Sequence, residues 1–335
     1  MRALICSEPG HLALIDRPEP GPPPPGWAKV RISHVGICGT DYHIFDGKHP
    51  FLAYPRIMGH EASATVIEAG ESVTLSPGTN VIINPYLACG SCIACRQGKP
   101  NCCTAISVIG VHSDGAMTEQ MLLPATNLYP ADGLPLDSAA AVEFLAIGAH
   151  AVRRSLALSG KRALVIGAGP IGIGTALFAR IAGQQVTMLD RARDRLDFAE
   201  AALGLPVIEG QNATAEVARL TRGEGFDVVY DATGNAASMQ SAFAHVAHGG
   251  ALVLVSVVKD PITFSDPEFH KREMMLIGSR NATREDFSHV AACLASGQIP
   301  LAALITHRTT LSDAARDLPV WAHQKQGLIK AVIAV

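Results

Sequence analysis

Five of the eight cysteines fall within one fifteen-residue stretch, CGSCIACRQGKPNCC, Cys89 to Cys103. Thiols bunched this tightly serve as disulfides, redox catalysts or metal ligands. The rest of the chain narrows the choice. The N-terminus MRALICSEPG lacks the apolar core of a secretion signal. The longest apolar run, Ala163 to Ala179, is interrupted by Gly167, Gly169, Pro170, Gly172 and Gly174, too punctuated to span a bilayer. The expectation is a cytoplasmic chain with no membrane partner, in a compartment that keeps thiols reduced. Reduced thiols at this density bind metal more often than each other. The spacing Cys89-x2-Cys92-x2-Cys95-x7-Cys103 supplies four thiolates from one loop, a tetrahedral zinc set. Four protein ligands leave no position for substrate, which makes this site structural. Cys102 is the spare: its neighbour Cys103 has the better spacing, and the sequence leaves a swap of the two open. Cys6 and Cys293 sit among apolar residues and read as small core hydrophobes.

Two other stretches, GICGTDYH (Gly36 to His43) and GHE (Gly59 to Glu61), hold one cysteine and two histidines in β-rich sequence. Together they offer Cys38 and His60 to a metal, with Glu61 or Glu143 as a carboxylate. Three protein ligands plus an open position make the catalytic type of zinc site. Glu143 is unusual on its own terms, a lone carboxylate in the apolar helical run AAAVEFLAIGAHA. A buried charge is costly unless it is paired or bound to metal.

A third pattern concerns phosphate. VIGAGPIG, Val165 to Gly172, contains Gly167-x-Gly169-x-x-Gly172. It follows an apolar strand, opens a helix with Pro170 in its first turn and precedes a second strand ending at Asp190. In that context the glycines permit a tight turn and a close approach of backbone N–H groups to a pyrophosphate. The positive end of the helix then favours the anion. Asp190 can accept from ribose hydroxyls and would repel a 2′-phosphate, so NAD is favoured over NADP. Arg191, Arg193 and Arg195 temper that preference, because a neighbouring guanidinium can hold phosphate. In an open parallel sheet ligands lie over the carboxyl ends of the strands. Asp231-Ala-Thr233-Gly234, Val255-Ser256-Val257 and Gly278-Ser279-Arg280 are such ends. Cofactor contacts are therefore expected from Gly167, Gly169, Pro170, Ile171, Gly172, Asp190, Arg191, Arg195, Thr233, Val255, Ser256 and Ser279.

These sites need two kinds of scaffold. Residues 1 to about 145 read as mostly β, in short runs such as WAKVRISHVGI and SATVIEAG separated by Pro and Gly. PEPGPPPPG, Pro18 to Gly26, is an extended surface connector. The texture changes near Asp137, the expected N-cap of one helix, DSAAAVEFLAIGAHAVRRS. Strands then alternate with helices, which means βαβ units and a parallel sheet. After about Arg280 the pattern is helical again and ends in the strand LIKAVIAV, expected to rejoin the first domain. The expected domains are 1–145 with a zinc lobe at about 86–105, then 146–279, then a returning segment 280–335. A chain of 335 residues suits two such domains. A net charge of −3 without a Lys/Arg run argues against nucleic acid and anionic membrane as partners. With 5% aromatic residues no large greasy pocket is expected, which points to a small polar substrate. Arg56, His112, Arg280 and Asn281 are candidates for its hydroxyls or a carboxylate.

GHEASATVIEAG resembles the zinc signature, CGSCIACRQGKPNCC the structural-zinc lobe and GAGPIG the nucleotide loop of the zinc-containing medium-chain dehydrogenases/reductases. The likeness covers nearly the whole chain and lies nearest the polyol and threonine dehydrogenase branch. NCCTAISVIGVHSDGAM further resembles bacterial oxidoreductases acting on sugar acids such as L-galactonate or L-gulonate at C5. The resemblance implies an α/β fold: a β-rich GroES-like catalytic domain and a Rossmann doubly wound parallel-sheet domain. It implies two zinc ions per chain and NAD. Cys38, His60 and Glu143 would hold catalytic zinc, with Glu61 as an alternating ligand. Thr40 would hydrogen-bond the substrate hydroxyl, His43 would pass its proton to solvent, and Asp41 would orient a ligand. Zinc acts there as a Lewis acid towards a secondary alcohol, and hydride goes to the nicotinamide. The substrate implied is a sugar acid or polyol. Rivals are L-threonine, butanediol or a polyol phosphate on the same fold, or a non-catalytic NAD-binding regulator. Dimers or tetramers are implied, extending the cofactor sheet near Val253 to Val258. Two positions depart from the family pattern: Ala64 replaces a glycine, and Thr79 replaces an acidic residue.

Overall fold

Ala28, Val30 and Ile32 alternate with more exposed neighbours along the strand Trp27–Ile37, so one face of it is buried. In the computed structural model, which describes residues 1–49, 52–155, 162–324 and 326–335, this strand is the centre of a mixed sheet. Its neighbours are Glu61–Ala69 on one side and Lys330–Ala334 on the other, and Gln120–Pro124 also pairs with it. The register decides where chemistry can sit. Gly36 faces Glu61, and Ile37 faces Ala331. Three neighbouring strands therefore bring Cys38, His60–Glu61 and Lys330 to one end of the sheet. Ala64 is buried opposite Ile32, beside the register shift between Ile32 and His34 on the facing strand.

The chain divides into two compact units. The first is Met1–Glu143 with Ala291–Gly297 and Leu301–Val335; the second is Phe144–Val290 with Gln298–Pro300. Residues 280–290 thus lie with the second unit. The first unit packs its sheets around Leu4, Val30, Ile57, Met58, Ile83 and Ile333, joined by Leu311 and Leu318 from the C-terminal segment.

The second unit holds six parallel strands in the order Val207–Glu209, Gln185–Asp190, Arg162–Ile166, Phe226–Asp231, Val246–Leu254, Met275–Gly278. By chain order this is 3-2-1-4-5-6, the doubly wound order whose reversal point lies between Arg162–Ile166 and Phe226–Asp231.

Two expectations are corrected. Asp137 does not cap one long helix. Pro135 is the N-cap of a short helix, Leu136–Ala139, and a second helix runs Val142–Ser155. Proline fits there because its fixed φ suits the helix entry and its missing N–H removes a donor. Asp137 instead accepts from the N–H and hydroxyl of Ser138. The open edge of the parallel sheet is also not at Val253. Val246–Leu254 is paired on both sides, by Phe226–Asp231 and Met275–Gly278, and the latter is the edge strand.

Candidate active site and metal centres

Cys38 ends its strand in extended conformation and precedes the helix Gly39–Phe45. The fully buried carboxylate of Asp41 accepts from the Cys38 N–H at 2.8 Å and from the Gly59 N–H at 3.2 Å. One side chain thereby ties together the segments that carry Cys38 and His60. Its Oδ1 also lies 4.0 Å from His60 Nδ1. The ligand atoms of Cys38, His60 and Glu61 all fall within 4.8 Å of one another. His60 Nδ1 and Glu61 Oε1 are buried and have no hydrogen-bond partner among the described residues. Buried orphan donors and acceptors are costly, and a zinc ion would satisfy a sulfur, a nitrogen and an oxygen gathered this way.

Electrostatics agree with a cation there. Burial opposes charge on His60, yet Cys38, Asp41 and Glu143 together carry its pKa well above the ordinary value. Burial raises Asp41. Glu143 is pushed up to about 7 by burial and by the neighbouring Glu61 charge. Asp41, Glu61 and Glu143 are all buried at this spot, and Lys330 pairs with Glu61. Glu143 itself is held by the Tyr86 hydroxyl, which donates to Oε1. Sequence reading placed Glu143 as the third ligand and Glu61 as the alternate; in the structure Glu61 converges with Cys38 and His60. The reason is local: Glu61 follows His60 directly at the strand start, whereas Glu143 is engaged by Tyr86.

Thr40 Oγ1 sits 3.8 Å from Cys38 Sγ. Thr40 and His43 are three residues apart on one helix, hence on one face, and His43 is exposed. Two functional neighbours escaped sequence reasoning. Tyr86 gave no signal beyond its place after a strand. Lys330 did: it is a lone charge in the apolar LIKAVIAV, the same oddity that flagged Glu143. Of the substrate candidates, Arg56 is paired with Asp114 at 3.5 Å, and His112 Nδ1 takes the Val108 N–H at 3.0 Å. Arg280 is exposed, and Asn281 has a positive φ of 52°.

The second cluster is built differently. Cys89, Cys92, Cys95 and Cys103 place their sulfurs within 4.8 Å of one another on one loop, and Cys102 points elsewhere, exposed. Backbone N–H groups of Cys89 and Ala105 donate to Cys103 Sγ, and that of Cys92 to Cys89 Sγ. Hydrogen bonds at Cys95 and Thr104 pull Cys92 down to about 5, while burial and adjoining sulfurs push Cys95 up to about 12. Four thiolates cannot share this space without a cation, and a zinc ion is one that such a donor set would hold. Cys6 and Cys293 are buried, and burial raises both thiols, Cys6 to about 11.

In the second unit Gly167 has φ +101°, and a Cβ there would press on Thr233 and Ala232 at 3.2–3.3 Å. The ends of the two central strands meet at this point. A Cβ on Gly172 would collide with the Gly167 carbonyl, whereas one on Gly169, the N-cap of helix Pro170–Ile181, would meet only Arg195 Nη1 at 3.9 Å. The loop is thus closely packed except where a pyrophosphate would approach. Asp190 accepts from the Ala168 N–H at 2.6 Å and the Ala192 N–H at 2.8 Å, with Arg195 Nη1 4.0 Å away. Ile171 and Pro170 lie half-buried in the first helical turn, and Arg191 is exposed. Asp231 is buried and accepts from Thr233 and Ser238. Val255 donates its N–H to the Asp231 carbonyl, Ser256 follows it half-buried, and Ser279 Oγ is buried with no hydrogen-bond partner among the described residues.

Residues 24–133 match the alcohol dehydrogenase GroES-like domain, and residues 170–296 the zinc-binding dehydrogenase domain. An L-galactonate-5-dehydrogenase from Escherichia coli K12 is 40% identical over 99% of this chain and 98% of its own length. The chain belongs to the zinc-binding alcohol dehydrogenase family. Another member, a D-altritol 5-dehydrogenase from Agrobacterium fabrum, is 33% identical over 93% of this chain and 94% of its own. In structure, an alcohol dehydrogenase (rspB) from Escherichia coli CFT073, solved with NADH, superposes with a TM-score of 0.92. It is 27% identical and covers 100% of this chain and 99% of its own. Members of this family are oxidoreductases of CH–OH groups, and the GroES-like and Rossmann-type halves expected from the sequence are both present. Among the described residues no helix is long and apolar enough to cross a membrane.

Proposed function

We propose that this chain oxidises a secondary alcohol of a sugar acid or polyol to the ketone, reversibly, with zinc and NAD. The observation that carries the reading is the convergence of Cys38, His60 and Glu61 ligand atoms within 4.8 Å, two of them buried and orphaned. Sugar-acid and polyol dehydrogenases among its relatives set the substrate class. Residues 1–145 with the returning C-terminal segment form the catalytic domain in this reading, and 146–279 the dinucleotide domain.

Cys38, His60 and Glu61 would hold the catalytic zinc, with Glu143 in reserve behind the Tyr86 hydroxyl. Cys89, Cys92, Cys95 and Cys103 would hold the structural one. When bound, zinc supplies a Lewis acid for the alcohol oxygen and NAD accepts the hydride. The chain's own residues do the rest. Thr40 Oγ1 would accept the proton of the substrate hydroxyl and release its own hydroxyl proton in the direction of His43. His43, one turn away on the same face and exposed, passes that proton to solvent. Asp41 holds Cys38 and His60 in register through the backbone. Gly167 to Gly172 and the amides at the start of helix Pro170–Ile181 receive the pyrophosphate, and Asp190 the adenosine ribose. A negative charge at Asp190 favours NAD over NADP.

The protein works in this reading as a cytoplasmic homo-dimer or homo-tetramer, where reduced thiols persist as ligands. The edge strand Met275–Gly278, with Met275 and Leu276 about two-fifths exposed, is the place where a second copy would extend the sheet. The deciding experiment is an NAD-reduction screen over hexonates, polyols, threonine and butanediol with the zinc-loaded protein. Turnover confined to threonine or butanediol would overturn the substrate class.

A further inference from the structure

Asn127 ends the short turn Ala125–Asn127 and is buried. Its Nδ2 donates to the Asn84 carbonyl at 2.9 Å and to the Tyr86 carbonyl at 3.0 Å. Two carbonyl acceptors fix the orientation of the amide, because only its NH2 group can face both. Oδ1 accepts from the Thr126 hydroxyl at 3.3 Å, and the Asn84 N–H donates to the Asn127 carbonyl at 2.8 Å. Register brings the two asparagines together: Leu128 faces Ile83 in an antiparallel pair, so the residues just outside it meet. Asn84 adds a second layer. Its Oδ1 accepts from the Tyr86 N–H at 3.1 Å, and its Nδ2 donates to the Tyr129 hydroxyl at 2.9 Å. Beyond this network Tyr86–Leu87 pairs only with Ser107–Val108, and two paired residues hold little by themselves. The turn Asn84–Pro85–Tyr86 is therefore set largely by one buried amide, and it carries the hydroxyl that donates to Glu143.

We infer that Asn127 is a positioning residue for the open metal centre: it fixes the turn Asn84–Tyr86 and, through the Tyr86 hydroxyl, the carboxylate of Glu143. This rests on the zinc site proposed above. A tyrosine side chain is rigid beyond two torsions, so a shift of its backbone reaches the hydroxyl undiminished. Groups around a reacting centre must be held to within about 0.5 Å, and their supporting hydrogen bonds do that work. A purely structural asparagine would tie down the same turn for stability, and its loss would leave turnover and metal geometry alone.

The test compares wild type, Asn127→Asp, Asn127→Ser and Tyr86→Phe, and each Asn127 variant combined with Tyr86→Phe. It reads kcat and KM for NAD with the most active alcohol of the screen above. It also reads the visible spectrum after cobalt replaces the metal of the open site. Asn127→Asp keeps the size and removes both donors; kcat should fall about tenfold with KM for NAD unchanged. Asn127→Ser keeps a single donor and should lose about threefold. Adding Tyr86→Phe to either should leave kcat within about twofold of Tyr86→Phe alone, because the hydroxyl through which Asn127 acts is already gone. The cobalt spectrum should shift in the same sense in Asn127→Asp and in Tyr86→Phe. Wild-type kcat and spectrum in the folded Asn127 variants overturn the inference. So do losses that multiply to about a hundredfold when Asn127→Asp and Tyr86→Phe are combined. If Asn127→Asp does not fold, Asn127→Ser and its combination decide. Wild-type behaviour of Tyr86→Phe also overturns the inference and leaves the zinc ligands standing. A wild-type protein that binds metal only in the thiolate loop overturns the zinc site itself, and the inference with it.

Discussion

The two candidate metal centres of the first unit use similar donors on opposite plans. The thiolate loop gathers four sulfurs from fifteen consecutive residues, largely at the surface and steadied by backbone N–H groups. The other centre gathers one sulfur, one nitrogen and one oxygen from two strand ends, among the buried carboxylates of Asp41, Glu61 and Glu143. A set of four identical soft donors closes around zinc and leaves nothing to exchange. A mixed set of three keeps a position open, and burial makes every charge near it count for more. The contrast teaches that the two candidate centres differ both in their ligand sets and in what surrounds the ligands.

The sharpest way to break this contrast is Cys38→Ser. It should lower kcat by about a thousandfold or more. Zinc content should fall from about two to about one per chain, with circular dichroism unchanged. Normal turnover would remove the catalytic assignment. Cys92→Ser should do the reverse, lowering Tm by about 10 °C while the residual folded fraction keeps most of its kcat. Calorimetry and proteolysis of the 89–103 loop read this. The same loop should be acid-labile in a definite window. Cys92 is held at about 5, below an ordinary thiol, so its thiolate persists down to that pH. Stability conferred through it is fully present above the ordinary thiol value of 9.0, declines as pH falls from there and is gone below about 5. Zinc release with a midpoint well above neutrality would contradict this.

Asp190→Ala is the control lying outside both centres. It should raise KM for NAD about 10- to 100-fold and relax the rejection of NADP, with two zincs retained. An unchanged cofactor preference would remove the ribose role. The smallest expected effect is Tyr86→Phe. Glu143 would lose its donor, and kcat should drop about tenfold with the thiolate loop untouched. A large loss of Tm in place of a loss of kcat would make Tyr86 a packing residue only.

Much of the dinucleotide unit was legible because its signals are local. Gly167, Gly169 and Gly172 lie in one turn, and each strand can be read from its own apolar run. The thiolate loop was legible for the same reason. The open centre was only half so. Cys38 and His60 stood out by residue type, but which glutamate joins them depends on the Tyr86 hydroxyl and on strand register. The helix after Asp137 was misjudged because Pro135 supplies the N-terminal geometry, and a nearby Asp is a strong but not exclusive capping signal. The sheet edge was misplaced because edge or interior status is a matter of neighbours, which periodicity does not report.

The sequence alone determined two domains of different texture, the glycine-rich loop, and a four-cysteine cluster, because each depends on contacts within a few consecutive residues. Tertiary structure decided that Glu61 both converges with Cys38 and His60 and pairs with Lys330. Residues 61 and 330 meet only because Trp27–Ile37 pairs with both of their strands and Gly36 leaves room between them. Such a contact is set by register across strands far apart in the chain, and no local pattern encodes it.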